Sequence, residues 1–141
     1  MHTLTHRGTA SLFLILTAIA VAACGDETEP ASGPPQVVEV TAEDAGTTVE
    51  LITGDEVVIT LESNVTTGFA WTLARAPDTD VLELVDSTYV APETELVGAG
   101  GEEVWTFRAV GAGTADLELS YERSSGESAG EPFALTVVVS A

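Results

Sequence analysis

Residues 115–123 read ADLELSYER, and this stretch decides the fold because apolar and polar side chains alternate along it. In an extended chain Leu117, Leu119 and Tyr121 share one face, while the acidic and hydroxyl side chains between them share the other. A period of two residues is typical of a β-strand that buries one face and leaves the other in water. The stretch is therefore predicted to be a strand with one face in a hydrophobic core.

The same alternation recurs on both sides of this strand, with turn residues between the segments. The residues that share a face are Val57, Ile59 and Leu61; Trp105, Phe107 and Ala109; and Phe133, Leu135, Val137 and Val139. The further segments QVVEVTAED, TTVELIT, AWTLAR and VLELVDSTYV bring the total to seven or eight strands. Many short strands with one apolar face each predict an all-β, antiparallel two-sheet sandwich. Its large core side chains are expected to be Trp71, Trp105, Phe107, Tyr121 and Phe133.

The N-terminal segment has the features of a targeting sequence. After the short segment MHTLTHR comes an apolar run that is too brief for the roughly 20 residues a membrane helix needs, so residues 1–23 are predicted to be a signal peptide. Val21–Gly25 has the shape of a bacterial lipobox, in which Cys24 is lipidated; the alternative is an ordinary cleavage site beside an incidental cysteine. Residues 24–36, rich in Pro, Gly and acid, are predicted to be a flexible linker, and residues 37–141 the folded domain. We expect an extracytoplasmic protein, lipid-anchored to the bacterial cell membrane.

The charged residues are mostly acidic, which excludes several classes of function. The chain has 23 Asp and Glu against four Lys and Arg, and its histidines, His2 and His6, precede Cys24. Without them the mature chain has no histidine for a Ser-His-Asp site or a histidine-bearing zinc site, and because the chain has no lysine it cannot form a Schiff base through one. The negative charge argues against nucleic acid and against membrane contact other than through the lipid. We expect no cofactor and no metal; paired carboxylates are the one enzymatic chemistry left open.

Two glycine-containing loops interrupt the strand pattern. The first follows DEVVITLES and comprises Asn64, Val65, Thr66, Thr67, Gly68 and Phe69. The second precedes EEVWTF and comprises Leu96, Val97, Gly98, Ala99, Gly100 and Gly101. Asn and Gly suit a hairpin turn, but a hairpin does not require the two adjacent threonines.

The two loops together, at this spacing and each before an aromatic strand, resemble the chagasin family of cysteine protease inhibitors. The resemblance extends from about Val37 to Ala141 and implies an immunoglobulin-like sandwich that inhibits papain-like cysteine proteases with three loops. By this resemblance, loop residues 64–69 enter the catalytic cleft, and residues 96–101 make extended backbone contacts while Val97 fills a hydrophobic substrate pocket. The third loop begins at Arg123.

The third loop departs from the family pattern. Family members often carry Arg-Pro-Trp after a tyrosine-bearing strand, whereas here Arg123 is followed by Ser124, Ser125 and Gly126. A tryptophan at the centre of an interface is commonly worth about 2 kcal/mol, or roughly thirtyfold in affinity. We therefore expect a weaker or differently selective inhibitor. Val65 also departs, because a proline often precedes the threonines.

The sequence thus predicts a non-enzymatic, monomeric inhibitor of papain-like cysteine proteases. The main alternative keeps the fold and the lipid anchor but makes the domain a surface binding module without protease inhibition. Fold alone does not separate the two, because one scaffold can carry many sites. The first two loops favour inhibition, and the missing tryptophan favours the alternative.

Overall fold

The computed structural model describes residues 33–141, and within that range the chain forms eight strands and two short 3-10 turns. The strands are β1 Val37–Thr41, β2 Thr48–Ile52, β3 Glu56–Ser63, β4 Phe69–Arg75, β5 Leu82–Val90, β6 Gly101–Ala109, β7 Gly113–Arg123 and β8 Phe133–Ser140. The turns are Ala42–Asp44 and Val65–Thr67. The predicted signal peptide, Cys24 and most of the predicted linker lie outside the described residues.

The strands form two four-stranded sheets, in the orders β1-β3-β6-β5 and β2-β8-β7-β4. This arrangement confirms the predicted all-β sandwich of seven or eight strands and sets the number at eight. Four strand pairs are antiparallel as expected, but β1 pairs with β3, and β2 with β8, in parallel. The parallel β1–β3 pair arises because β2 runs back in the opposite sheet, so that β1 and β3 run in the same direction within theirs.

The predicted core faces are buried. Val57, Ile59 and Leu61 of β3 pack in one cluster with the predicted inward residues of β6 and β8 and with Leu117 and Leu119 of β7. Trp71 and Tyr121, expected in the core, are only half-buried. They lie near one end of the sandwich with Phe69, and the Tyr121 ring centroid is 5.4 Å from that of Phe69 and 5.1 Å from that of Trp71. These three side chains form an aromatic cluster beneath the loops.

The order and direction of the strands bring three connections to one end of the sandwich. Strands β3, β5 and β7 end there, and β4, β6 and β8 begin there, because Ser63 pairs with Gly101, Val90 with Glu102, and Phe69 with Arg123. We call the connections loop 1 (residues 64–68), loop 2 (residues 91–100) and loop 3 (residues 124–132). Strand β1 begins at the opposite end, where Val37 pairs with Glu56.

The core prediction is tested by replacing Leu119, which is fully buried between the sheets. Leu119→Ala is expected to lower the free energy of unfolding by about 2 to 5 kcal/mol, because it removes apolar contacts and leaves a cavity. The control is Thr114→Ala on the exposed part of the same strand, for which we expect a loss within about 1 kcal/mol. Equal losses in urea denaturation would contradict the assigned faces of β7.

Candidate functional site

Loop 1 is not the hairpin that its Asn and Gly suggested. It crosses from β3 in one sheet to β4 in the other, so it lies between loop 2, which is attached to β6, and loop 3, which is attached to β7. Val65–Thr67 form a single 3-10 turn, and Gly68 ends it with a φ of 80°. A side chain at Gly68 would be strained at that φ, which is why glycine suits this position.

Asn64 joins the loops through its backbone and its side chain. Its backbone N–H donates to the Tyr121 hydroxyl at 2.8 Å, and its Nδ2 donates to the Gly98 carbonyl of loop 2 at 3.0 Å. Its Oδ1 accepts from the Thr66 N–H at 3.2 Å and from the Thr66 hydroxyl at 2.6 Å. Its carbonyl accepts from the Thr67 hydroxyl at 2.6 Å. One residue therefore caps the turn and holds loop 2 beside it.

Loop 2 carries the most exposed apolar side chains of the site. Val97 is fully exposed and Leu96 is 75% exposed, while Val65 on the neighbouring loop 1 is 44% exposed. Exposed apolar side chains on adjacent loops make this end of the molecule a candidate surface for protein binding.

The end of loop 2 has a structural need for glycine. A Cβ on Gly101 would lie 2.2 Å from the Val90 carbonyl oxygen and 2.7 Å from the Tyr89 hydroxyl. A Cβ on Gly100 would lie 3.4 Å from the Ser63 carbonyl oxygen and 3.6 Å from the Asn64 Cβ. Gly101 therefore serves the close packing of β5 and β6 under the loops, whereas the distances at Gly100 are ordinary van der Waals contacts that a small side chain could make.

Loop 3 is a compact hairpin at its start. The Arg123 N–H donates to the Glu127 carbonyl at 2.8 Å, the Gly126 N–H donates to the Arg123 carbonyl at 2.8 Å, and Glu122 pairs with Ser128. The Arg123 guanidinium lies over the Phe69 ring, 4.4 Å from its centroid. Ser124 and Ser125, where the family pattern has proline and tryptophan, are exposed small side chains.

The buried Glu103 side chain joins the two sheets by hydrogen bonds below the loops. Glu103 of β6 is only 8% exposed, and its Oε1 accepts from the Ser63 hydroxyl at 2.6 Å and from the Trp71 N–H at 3.1 Å. The Trp71 Nε1 donates to the Glu62 carbonyl at 2.9 Å. Trp71 belongs to one sheet, and Glu62, Ser63 and Glu103 belong to the other, so these bonds tie the sheets together at the loop end.

The structure thus brings the predicted protease-binding residues to one end of the molecule. Loop 1 is linked by hydrogen bonds to loop 2 through Asn64, and to loop 3 through Arg123, the last residue of β7, whose side chain is also bonded to Glu127 in loop 3. Sequence reasoning missed the supporting residues Ser63 and Glu103, and it placed Tyr121 in the core, whereas its hydroxyl accepts the Asn64 N–H beneath the loops. One signal was available for Glu103, because it falls among the inward positions of the β6 alternation.

The described residues contain neither a group of metal-ligating side chains nor a membrane-spanning helix. Within residues 33–141 no group of three or more His, Cys, Asp and Glu side chains is placed to hold a metal ion. In the same range no helix is long and apolar enough to cross a membrane. The feature that distinguishes this end of the sandwich is the set of three linked loops with exposed apolar side chains on loops 1 and 2.

Comparison with known proteins identifies the family. The sequence profile described as "Chagasin family peptidase inhibitor I42" matches residues 50–137. Chagasin of Trypanosoma cruzi is 35% identical over 88 residues, which cover 60% of this chain and 80% of that protein. The chain therefore belongs to the chagasin family of peptidase inhibitors, whose members are inhibitors and not enzymes.

Solved structures share the fold. The cysteine protease inhibitor EhICP2 from Entamoeba histolytica has a TM-score of 0.67 at 24% identity, over 77% of this chain and 100% of that one. PbICP-C, solved in complex with falcipain-2, has a TM-score of 0.54 at 18% identity, over 74% of this chain and 92% of that one. At these sequence identities the structural similarity shows a shared fold, that is, the same arrangement of strands.

The bond between Asn64 and Gly98 is tested by Asn64→Asp. The carboxylate keeps the acceptor for Thr66 but loses the Nδ2–H donor and faces the Gly98 carbonyl. We expect the unfolding free energy to fall by no more than about 1.5 kcal/mol.

The decisive measurement is amide exchange within each loop. The Ala99 N–H, which donates to the Leu96 carbonyl, should exchange about tenfold faster in the variant, because loop 2 has lost its support. The Thr67 N–H of loop 1, which donates to the Asn64 carbonyl, serves as the internal control. Unchanged exchange at Ala99 would show that the bond does not hold loop 2.

Proposed function

We propose that this protein is a reversible inhibitor of papain-like cysteine proteases that occludes the catalytic cleft with its three loops. The observation that carries the proposal is the linked loop cluster, in which the capped turn of loop 1 stands beside the exposed Leu96 and Val97 of loop 2. Membership of an inhibitor family and the complex of PbICP-C with falcipain-2 support the choice of a protease as partner.

Loop 1 is suited to enter a narrow cleft because its conformation is fixed before binding. The Thr67 and Gly68 N–H groups donate to the Asn64 and Val65 carbonyls, both at 3.1 Å, and the threonine hydroxyls are bonded within the loop. Little ordering entropy is then lost on association, and few polar groups need new partners. A closed turn also offers the protease no extended segment for cleavage.

Loop 2 supplies the apolar contact in this proposal. Leu96 and Val97 project into water in the free protein, so their transfer into a hydrophobic substrate pocket is favourable. Loop 3 presents the small Ser124 and Ser125 at its tip and contributes less direct contact than a tryptophan would. We therefore expect a weaker or differently selective inhibitor than relatives that carry the aromatic residue.

We further propose that the domain acts as a monomer. Strand β5 is an open sheet edge, but its pairing is interrupted by a bulge between Leu84 and Asp86. Glu83 and Asp86 add negative charge along that edge, and both are exposed. Bulges and charges of this kind hinder pairing with a second copy.

We also propose that a lipid on Cys24 holds the protein to the outside of a bacterial cell membrane. Because β1 begins at the end opposite the loops, a tether of residues 24–36 would leave the inhibitory end directed away from the membrane. The test is the full chain expressed in a bacterium beside its Cys24→Ser variant. Lipidation predicts a membrane-bound protein and a released variant, whereas equal release of both would exclude the anchor.

Inhibition is tested with residues 33–141, which contain both complete sheets and the core. The purified domain is titrated against papain and a cathepsin L-type protease, with trypsin as the control for specificity. We expect inhibition of the two cysteine proteases alone and recovery of the domain uncut. A folded domain that inhibits neither at micromolar concentration would leave the surface binding module as the better reading.

A matched pair of substitutions tests whether loop 2 makes the contact. Val97→Asp places a carboxylate where an apolar pocket is expected, so affinity should fall by at least about a hundredfold, or about 2.7 kcal/mol. Val37→Asp makes the same change at the opposite end, where Val37 is 56% exposed, and should leave affinity unchanged. Both variants should melt close to the parent domain. Equal inhibition by both would exclude Val97 from the interface.

A further inference from the structure

The Arg123 side chain makes three contacts, two at the exit of loop 1 and one within loop 3. Its Nε donates to the Thr67 carbonyl at 3.3 Å, and its guanidinium covers the Phe69 ring at 4.4 Å. Its Nη1 donates to Glu127 Oε2 at 2.9 Å. Gly68, between Thr67 and Phe69, is so close that a Cβ there would lie 3.9 Å from the Arg123 Nε. A single side chain therefore spans the residues where the turn of loop 1 passes into β4.

The backbone of Arg123 is fixed on both sides. It is the last residue of β7 and pairs with Phe69 of β4, and its N–H and carbonyl are both bonded within the loop 3 hairpin. The side chain consequently starts from a well-defined position, and Glu127 of the same hairpin holds its outer edge. An exposed ion pair such as Arg123–Glu127 contributes little to the free energy of folding, so its role is to orient the Arg123 side chain.

The two ends of loop 1 are held by different residues. Asn64 caps the beginning of the turn, whereas the end depends on Gly68, whose φ of 80° belongs to a region that glycine enters and leaves easily. Arg123 is the side chain that contacts both neighbours of this glycine. Loss of Arg123 would thus free the exit of the turn while leaving the Asn64 cap intact.

We propose that Arg123 is a positioning residue, through which loop 3 fixes the conformation of loop 1 for protease binding. The inference rests on the proposed inhibitory function. It assigns loop 3 an indirect role in binding, because Arg123 contacts Thr67 and Phe69 of this chain. The tip of loop 3 itself carries only the small side chains of Ser124 and Ser125. Affinity then depends on the fraction of free molecules whose loop 1 is already in the binding conformation.

The first test measures the free domain, residues 33–141, without any protease. In Arg123→Gln the amides of Thr67 and Gly68, which close the turn, should exchange about tenfold faster than in the parent domain. Arg123→Lys retains the positive charge but not the planar fork, and should restore part of the protection. Arg108→Gln is the matched control, because Arg108 forms a comparable ion pair with Glu56 at the opposite end.

The second test measures inhibition of papain by the same variants. Arg123→Gln should weaken inhibition about tenfold, Arg123→Lys less, and Arg108→Gln not at all, while melting temperatures stay close together. Weakened inhibition with unchanged exchange at Thr67 and Gly68 would overturn the proposal, because it would mean that Arg123 contacts the protease directly. Unchanged exchange and unchanged inhibition would overturn it as well.

Failure of the inhibitory function would be recognised separately. If the parent domain inhibits no cysteine protease, the proposed function fails, whereas the exchange data still report whether Arg123 holds loop 1. Faster exchange in Arg123→Gln without weaker inhibition by an active parent would show that the arginine orders the loop but does not serve binding, and would overturn the proposal.

Discussion

The crossing of loop 1 from one sheet to the other is the constraint on which the rest of this end depends. Because β3 pairs with β6 and β4 pairs with β7, a connection from β3 to β4 must lie between the loops attached to those neighbours. Asn64 lies at this central position and donates hydrogen bonds to the Gly98 carbonyl on one side and to the Tyr121 hydroxyl on the other. The three loops therefore lie side by side at this end, and the central loop is hydrogen-bonded to loop 2 and to the strand that leads into loop 3.

The crossing is stable because the sheets are joined directly beneath it. The Glu103 carboxylate accepts bonds from Ser63 in its own sheet and from Trp71 in the opposite sheet. Loss of either partner would leave a largely buried polar group without a hydrogen bond, which is costly away from water. Trp71 and Tyr121 cover this junction and remain half-buried, so the aromatic cluster belongs to the support of the loops as much as to the core.

The sequence was sufficient to predict the strands, because alternation determines which face of each strand is apolar. It was not sufficient to assign each strand to a sheet. Val57 and Leu119 are both inward apolar residues, and the pattern around them is the same whether their strands are neighbours in one sheet or lie in opposite sheets. For that reason the crossing of loop 1 and the parallel pairs of β1 and β2 were not predicted. The loop residues were recognised by their motif, but the contact of Arg123 with Phe69 depends on strand register, which no single segment encodes.

The separation of the two ends of the sandwich has a consequence for how such a protein can change by mutation. Strand β1 begins, and β8 ends, at the end opposite the loops, where Ser140 accepts a bond from the Thr53 N–H. The core lies between those points and the loop cluster, and so it separates the entry of the chain into the fold from the loops. Substitutions at the exposed tips of the loops, such as Val97 and Ser124, can therefore accumulate without disturbing the core or the end at which the chain enters the fold.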